Sequence, residues 1–204
     1  MTIFETERLR ARPLTDDDLG VLHGWWLNPA FRRFLGPSPP ALEQFVRAQR
    51  AYWDDHFRRH GWGQWAVERK EDGAFLGRCG LNLEPVDGVD EVEVGCALGP
   101  PFWGRGYAVE ATRATRDWAF RNLRVPHLVS LIHPDNLRSV QLAQATGMKL
   151  WTAALWEQIP HHVYRITRCE WESIGASAGS RIPAIGCAFG RPGRGHGCTE
   201  NLLR

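Results

Sequence analysis

Lysine is almost missing from this sequence: Lys70 and Lys149 are its only two, and every other basic residue is arginine or histidine. The formal net charge is +2 over 204 residues, so the chain has none of the basic excess that nucleic-acid binding needs. Four arginines against Glu200 give residues 173–204 a charge of +3 and leave −1 for the remainder. Long apolar runs are missing as well. No stretch approaches the ~18 apolar residues of a membrane span, so no membrane insertion is expected. Residues 1–13 carry Glu5, Glu7, Arg8, Arg10 and Arg12, unlike a secretory leader, and a cytoplasmic location is expected. The cysteines number five and none is spaced Cys-x-x-Cys, which argues against a disulfide framework and a zinc site. His161 and His162 have no partners at metal-ligand spacing, so no metal is expected. No Gly-Lys-Ser/Thr follows a glycine turn, which removes the phosphate and magnesium grip of a nucleotide phosphotransferase.

What is present is the composition of one globular domain with a real core, 43 % hydrophobic and 24 % charged. Thr6 to Pro13 alternates as a first strand, and Thr15-Asp16-Asp17-Asp18 is a natural helix start. Leu19, Leu22, Trp25 and Trp26 form the apolar stripe of that helix. A second helix follows the loop Gly36–Pro40, with Leu42, Phe45, Val46, Tyr52 and Trp53 on its faces. Strands are expected over Gln64–Arg69, Phe75–Leu81 and Glu91–Leu98, with turns at Asp72-Gly73 and Asp87-Gly88. Then come a helix from Tyr107, a strand His127–Ile132, a helix capped by Asn136 and ended by Gly147, and a strand pair Trp151–Trp156 and Val163–Cys169. This order predicts a mixed α/β sheet with helices packed on it. From Ser173 onward glycine, serine and proline dominate, so residues 173–204 are expected to be a disordered tail and 1–172 the folded domain.

The chemistry concentrates between Glu91 and Ala108. A strand, a glycine-studded turn and a helix start aim several backbone N–H groups at one point, which attracts a phosphate or pyrophosphate. Glu91 and Glu93 stand just upstream on one face of the strand.

Three features in this order carry a resemblance. Glu93-Val94-Gly95-Cys96-Ala97-Leu98, the loop Trp103-Gly104-Arg105-Gly106-Tyr107-Ala108, and Asn136-x-x-Ser139 ending at Gly147-Met148 resemble the GNAT superfamily of acetyl-CoA-dependent N-acetyltransferases. Thr6–Leu14 and Trp26-Leu27-Asn28-Pro29 are similar to the branch that acetylates the N-terminal alanine of ribosomal proteins. The resemblance spans residues 1–172. It implies a mostly antiparallel sheet with helices on both faces and a splayed strand pair. It implies a loop, Trp103 to Ala108, that grips the coenzyme A pyrophosphate through backbone N–H groups. Trp103 departs from the usual Arg or Gln at the first loop position, and Arg105 partly replaces that side chain. Cys96, Ala97 and Leu98 would line the pantetheine arm, with Asn136 and Ser139 contacting the arm or its phosphate.

By the same resemblance Glu93 is the general base, with Glu91 the runner-up. An amine of pKa ~10 must lose a proton before it attacks, at a cost of about 4 kcal/mol at pH 7. The tyrosine that often protonates the leaving thiolate in the superfamily is missing between Asn136 and Gly147, so the step falls to Ser139 as a weak proton donor, to water, or to the thiolate leaving unprotonated. The expected reaction is acetyl transfer from acetyl-CoA to a primary amine, either a small molecule or a protein N-terminus, by a monomer or homodimer. The alternative is a catalytically silent acetyl-CoA-binding regulator, which a solvent-facing Glu93 would favour. Trp25, Trp26, Phe31, Tyr52, Trp53 and Trp62 are expected mostly in the core, with some of them lining the acceptor pocket and the loop Glu157–His162 forming its other wall.

Overall fold

Short turns with left-handed backbone set the sheet. Asp87 and Gly88 (φ +50° and +81°) close a two-residue hairpin, and Glu157 and Gln158 (φ +47° and +65°) close another. In the computed structural model, which describes residues 1–177, the strands are β1 (Phe4–Glu5), β2 (Leu9–Arg12), β3 (Gln64–Arg69), β4 (Phe75–Val86), β5 (Val89–Leu98), β6 (His127–Ile132), β7 (Lys149–Trp156) and β8 (Ile159–Thr167). They form one sheet in the order β1-β2-β3-β4-β5-β6-β8-β7. Every neighbouring pair is antiparallel except β5 and β6, which are parallel and paired only at Glu93 and Val129. The helices are α1 (Asp16–Trp26), α2 (Pro29–Arg32), α3 (Leu42–His60), α4 (Tyr107–Asn122), α5 (Leu137–Ala145) and α6 (Arg168–Ser177).

Alternation along the strands divides the core. Ala66 and Ala97 pack with Leu19, Leu22 and Phe31 under α1 and α2, whereas their neighbours Val67 and Leu98 pack with Tyr107 and Ala111 of α4. Adjacent strand residues face opposite ways, so the two helix layers lie on opposite faces of the sheet. Trp65, Leu81 and Leu128 are fully buried in the largest cluster.

Several boundaries differ from the sequence expectation, each for a local reason. The first strand is a hairpin, because Thr6 takes the Leu9 N–H on its hydroxyl (3.0 Å) and folds the chain back. Asn28 accepts from the Ala30 N–H with Pro29 in the first helical position, which adds the short α2. The last strand begins earlier, so most of Glu157–His162 is hairpin rather than loop. It also ends earlier, because Thr167 and Glu170 form a reciprocal cap: Glu170 N–H donates to the Thr167 hydroxyl (3.2 Å) and Thr167 N–H to the Glu170 carboxylate (2.9 Å). Helix α6 therefore runs through the expected domain boundary at 172, and residues 173–177 are helical instead of belonging to a structureless tail. The rest of the expected tail, with Cys187 and Cys198, lies outside the described residues. Among the described residues Cys79, Cys96 and Cys169 are free thiols, and no helix is long and apolar enough to cross a membrane.

Candidate active site

The site forms where β5 and β6 part. Beyond Glu93 and Val129 no further pairing joins the two strands, so the β5 backbone from Gly95 to Leu98 has no strand partner on that side. Ser130 bridges the fork by donating its hydroxyl to the Val94 carbonyl (2.8 Å). A cavity of about 440 Å³ opens there, lined by Glu93, Cys96, Ala97, Asn136 and Ser139 among others. Five of the residues expected at the site are thus brought together from β5 and α5.

Glu93 is fixed on both oxygens. Leu131 of β6 donates its N–H to Oε1 (3.1 Å) and Asn82 Nδ2 donates to Oε2 (3.1 Å). Asn82 in turn accepts from Gln64 Nε2 (3.2 Å), so side chains of β3, β4 and β5 form one relay ending on the carboxylate. Asn82 pairs with Glu93, and Gly80 with Gly95, across the β4–β5 ladder. A Cβ at Gly95 would lie 3.1 Å from Gln64 Nε2 and 3.4 Å from Asn82 Nδ2, so glycine leaves room for the relay. Burial pushes the Glu93 carboxyl up to about 7; nearby Glu84 adds to this, and the two hydrogen bonds only partly offset it. A carboxyl poised there takes up and releases a proton at neutral pH. Glu91 does not compete. It is held by His127 (2.7 Å) and is not part of the cavity wall. Gln64 and Asn82 escaped the sequence reading because polar residues within strands carry no signal until the register shows what they face.

Asn136 caps α5 by accepting from the Ser139 N–H (3.3 Å), which explains it structurally and also sets it on the cavity wall. Ser139 lines the same cavity. Tyr52 is the one tyrosine in that wall, and burial raises its hydroxyl, which stays protonated. Cys96 is a packing residue by its side chain: the adjoining Cys79 thiol and burial push its thiol well up, so it is no nucleophile at neutral pH.

The glycine loop lies directly after β5. Gly104 and Gly106 have φ of +73° and +79°, a backbone that other residues rarely adopt, and Gly106 starts the long helix α4. The N–H groups of the first α4 turn have no helical partners, and Arg8 ties the loop down by donating to the Arg105 carbonyl (3.1 Å) while pairing with Glu110 (2.6 Å). This cradle fits a pyrophosphate, and the unpaired edge of β5 fits an amide-bearing arm. The loop is expected to act through its backbone N–H groups, and the side chains of Trp103 and Tyr107 have other partners. Trp103 stacks on Phe31 at 6.5 Å and donates its indole N–H to the Leu98 carbonyl (2.6 Å), so it pins the loop and occupies an acceptor expected to be free. Tyr107 is buried in the α4 core beneath the Arg8 guanidinium rather than turned to the loop, and Ala108 is half-buried beside it.

This geometry coincides with what the chain is similar to. The model of the acetyltransferase (GNAT) domain matches residues 8–149. An acetyltransferase from Agrobacterium tumefaciens is 30 % identical with a TM-score of 0.71, over 82 % of this chain and 95 % of that one. The uncharacterized protein YkkB of Bacillus subtilis is 29 % identical over 72 % of this chain and 85 % of its own length. The aminoglycoside acetyltransferase AAC(6′)-Ib, solved in complex with coenzyme A, shares the fold at 17 % identity and a TM-score of 0.66, over 81 % of this chain and 98 % of that one. The matched residues take in β5, the glycine loop and α5, and the chain belongs to the GNAT acetyltransferase family.

Proposed function

We propose that the protein transfers the acetyl group of acetyl-CoA to a primary amine by direct attack, with Glu93 as general base. The observation that carries this reading is the Glu93 carboxyl, fixed by Leu131 and Asn82 at the fork of β5 and β6 and raised to about 7. The N–H groups of residues 103–108 and the α4 start would hold the pyrophosphate, and the open edge from Cys96 to Leu98 the pantetheine arm. Acetyl-CoA supplies the activated thioester. Glu93 removes a proton from the ammonium form of the acceptor, the amine nitrogen bonds to the acetyl carbon, and the carbon–sulfur bond breaks. Backbone N–H groups near Cys96 and Ala97 stabilise the oxyanion, and the second proton, shed by the nitrogen as it becomes an amide, is relayed through the Ser139 hydroxyl to the departing sulfur.

The silent-regulator reading calls for a solvent-facing carboxylate without fixed orientation, and the relay through Gln64 and Asn82 argues against it. Mixing the protein with acetyl-CoA and a panel of amines and peptides, and following thiol release with mass detection of acetylated product, tests the reading. Tight acetyl-CoA binding with no acetylated product from any acceptor would sink it.

A further inference from the structure

Among the described residues, one cation in the cleft has no hydrogen-bond partner. Arg78 sits on β4 opposite Ala97, on the same face as Asn82, Glu84 and Glu93, and lines the cavity. Its Cζ lies 5.5 Å from the Trp53 ring centre and 5.9 Å from that of Trp26. The rings flank the guanidinium, yet its Nε is buried without a hydrogen bond, and among the described residues no carboxylate or carbonyl takes any of its N–H groups. Other sheltered arginines are satisfied: Arg12 by Asp18 and Glu68, Arg116 by Asp117 and the Thr146 carbonyl, Arg168 by carbonyls of Phe120, Leu123 and Val125. An unpaired sheltered charge is unfavourable unless something completes it.

The two neighbouring carboxyls do not complete it. Both Glu93 oxygens accept from Leu131 and Asn82, and Glu84 accepts from the Trp156 indole (2.9 Å). Burial raises both carboxyls, that of Glu93 to about 7, which lessens its negative charge near neutrality. The guanidinium keeps its charge throughout the physiological range.

Resting on the acetyltransferase reading, we infer that the acceptor is a free amino acid whose carboxylate binds Arg78 while its amine faces Glu93. A planar guanidinium with open N–H groups matches a carboxylate. The cavity, about 440 Å³, suits a small acceptor, and Trp26, Tyr52, Trp53 and Trp156 offer its side chain an apolar wall. A polyamine or aminoglycoside would bring further positive charge against Arg78.

The test is equilibrium binding to the coenzyme A-loaded full chain, by calorimetry, of alanine, methionine and phenylalanine, each against its carboxamide, with spermidine as a carboxylate-free amine. At least one amino acid should bind about tenfold or more tightly than its carboxamide and than spermidine. Arg78→Met should bring that ratio close to one, and Arg78→Lys should keep part of it. Thermal unfolding checks that the variants fold; if Arg78→Met does not, the wild-type ratios decide. Carboxamides or spermidine binding as tightly as the acids, or no amino acid binding at all, overturns the inference. Thiol release measured on the same series separates the two readings. Turnover of spermidine but not of the acids refutes only the amino acid acceptor. Selective, Arg78-dependent binding of the acids without turnover of any acceptor supports the carboxylate site and refutes the transferase reaction.

Discussion

Glu93→Gln should lower activity and raise stability at the same time, and both effects can be sized from the site. With Glu93 as the proposed general base, its carboxylate takes a proton from an ammonium ion, so kcat/KM should climb to a plateau as the pH passes about 7. The glutamine variant can use only amine that is already deprotonated. For an amine of pKa ~10 that fraction is about 10⁻³ at pH 7, and losing general-base help of the usual size lowers the rate by about 10²–10⁴-fold, a deficit that narrows as the pH approaches the pKa of the amine; for a peptide N-terminus of pKa ~8 it narrows nearer neutrality. Stability moves the other way. The folded-state pKa lies above the unfolded value of 4.5, so the folded chain holds the extra proton between pH 4.5 and about 7. Wild-type stability is therefore favoured below pH 4.5 and lost as the pH rises to about 7, on the order of 3 kcal/mol in all. Glutamine carries no such load. Its amide can donate to Asn82 if Asn82 and Gln64 both turn over, which gives the unpartnered Gln64 Oε1 a donor. Urea unfolding of both proteins from pH 4.5 to 8, alongside kcat/KM over pH 6 to 10, measures both arms. A deficit that stays constant with pH, or a variant that gains no stability between pH 4.5 and 8, would refute the reasoning.

Asn82→Ala removes a hydrogen bond that favours the Glu93 carboxylate, so the pH at which kcat/KM reaches its plateau should move upward, with activity at pH 7 down roughly tenfold; a pH–rate profile checks it. Trp103→Phe keeps the stacking on Phe31 but frees the Leu98 carbonyl, and should raise KM for acetyl-CoA several-fold with little change in kcat. Gly106→Ala places a side chain at φ +79° and 3.4 Å from Arg8 Nη2, and should cost about 1 kcal/mol of stability in a denaturant titration while weakening acetyl-CoA binding in calorimetry. Thr167→Ala breaks the reciprocal cap of α6 and should destabilise the protein by about 1 kcal/mol, with loss of the near-ultraviolet signal of Trp171, which stacks on Phe120.

Turns, caps and alternating strands were legible in the residues because their signals are local. Asp87-Gly88 marked a hairpin that the backbone adopts, and Asn136 and Gly147 marked the two ends of α5. Glu93 stood out through its spacing before a glycine turn and through family likeness. The capping box at Thr167 and Glu170 was also written in the residues, but the apolar alternation beside it read as a longer strand. The order of the chain thus determined the mixed sheet, the glycine turn after β5 and the place of the candidate carboxylate before it.

Register and long-range contact decided the rest. Gln64, Asn82 and Glu93 are far apart in the chain and meet only because β3, β4 and β5 pair as they do. The rise of the Glu93 carboxyl to about 7 comes from burial and from the closeness of Glu84, neither of which a sequence contains. Trp103 became a pin for the loop, and Arg78 an unanswered charge, through what the folded chain places beside them. Local propensity is written residue by residue, whereas solvent exclusion and hydrogen-bond partnership exist only once distant strands have closed on one another.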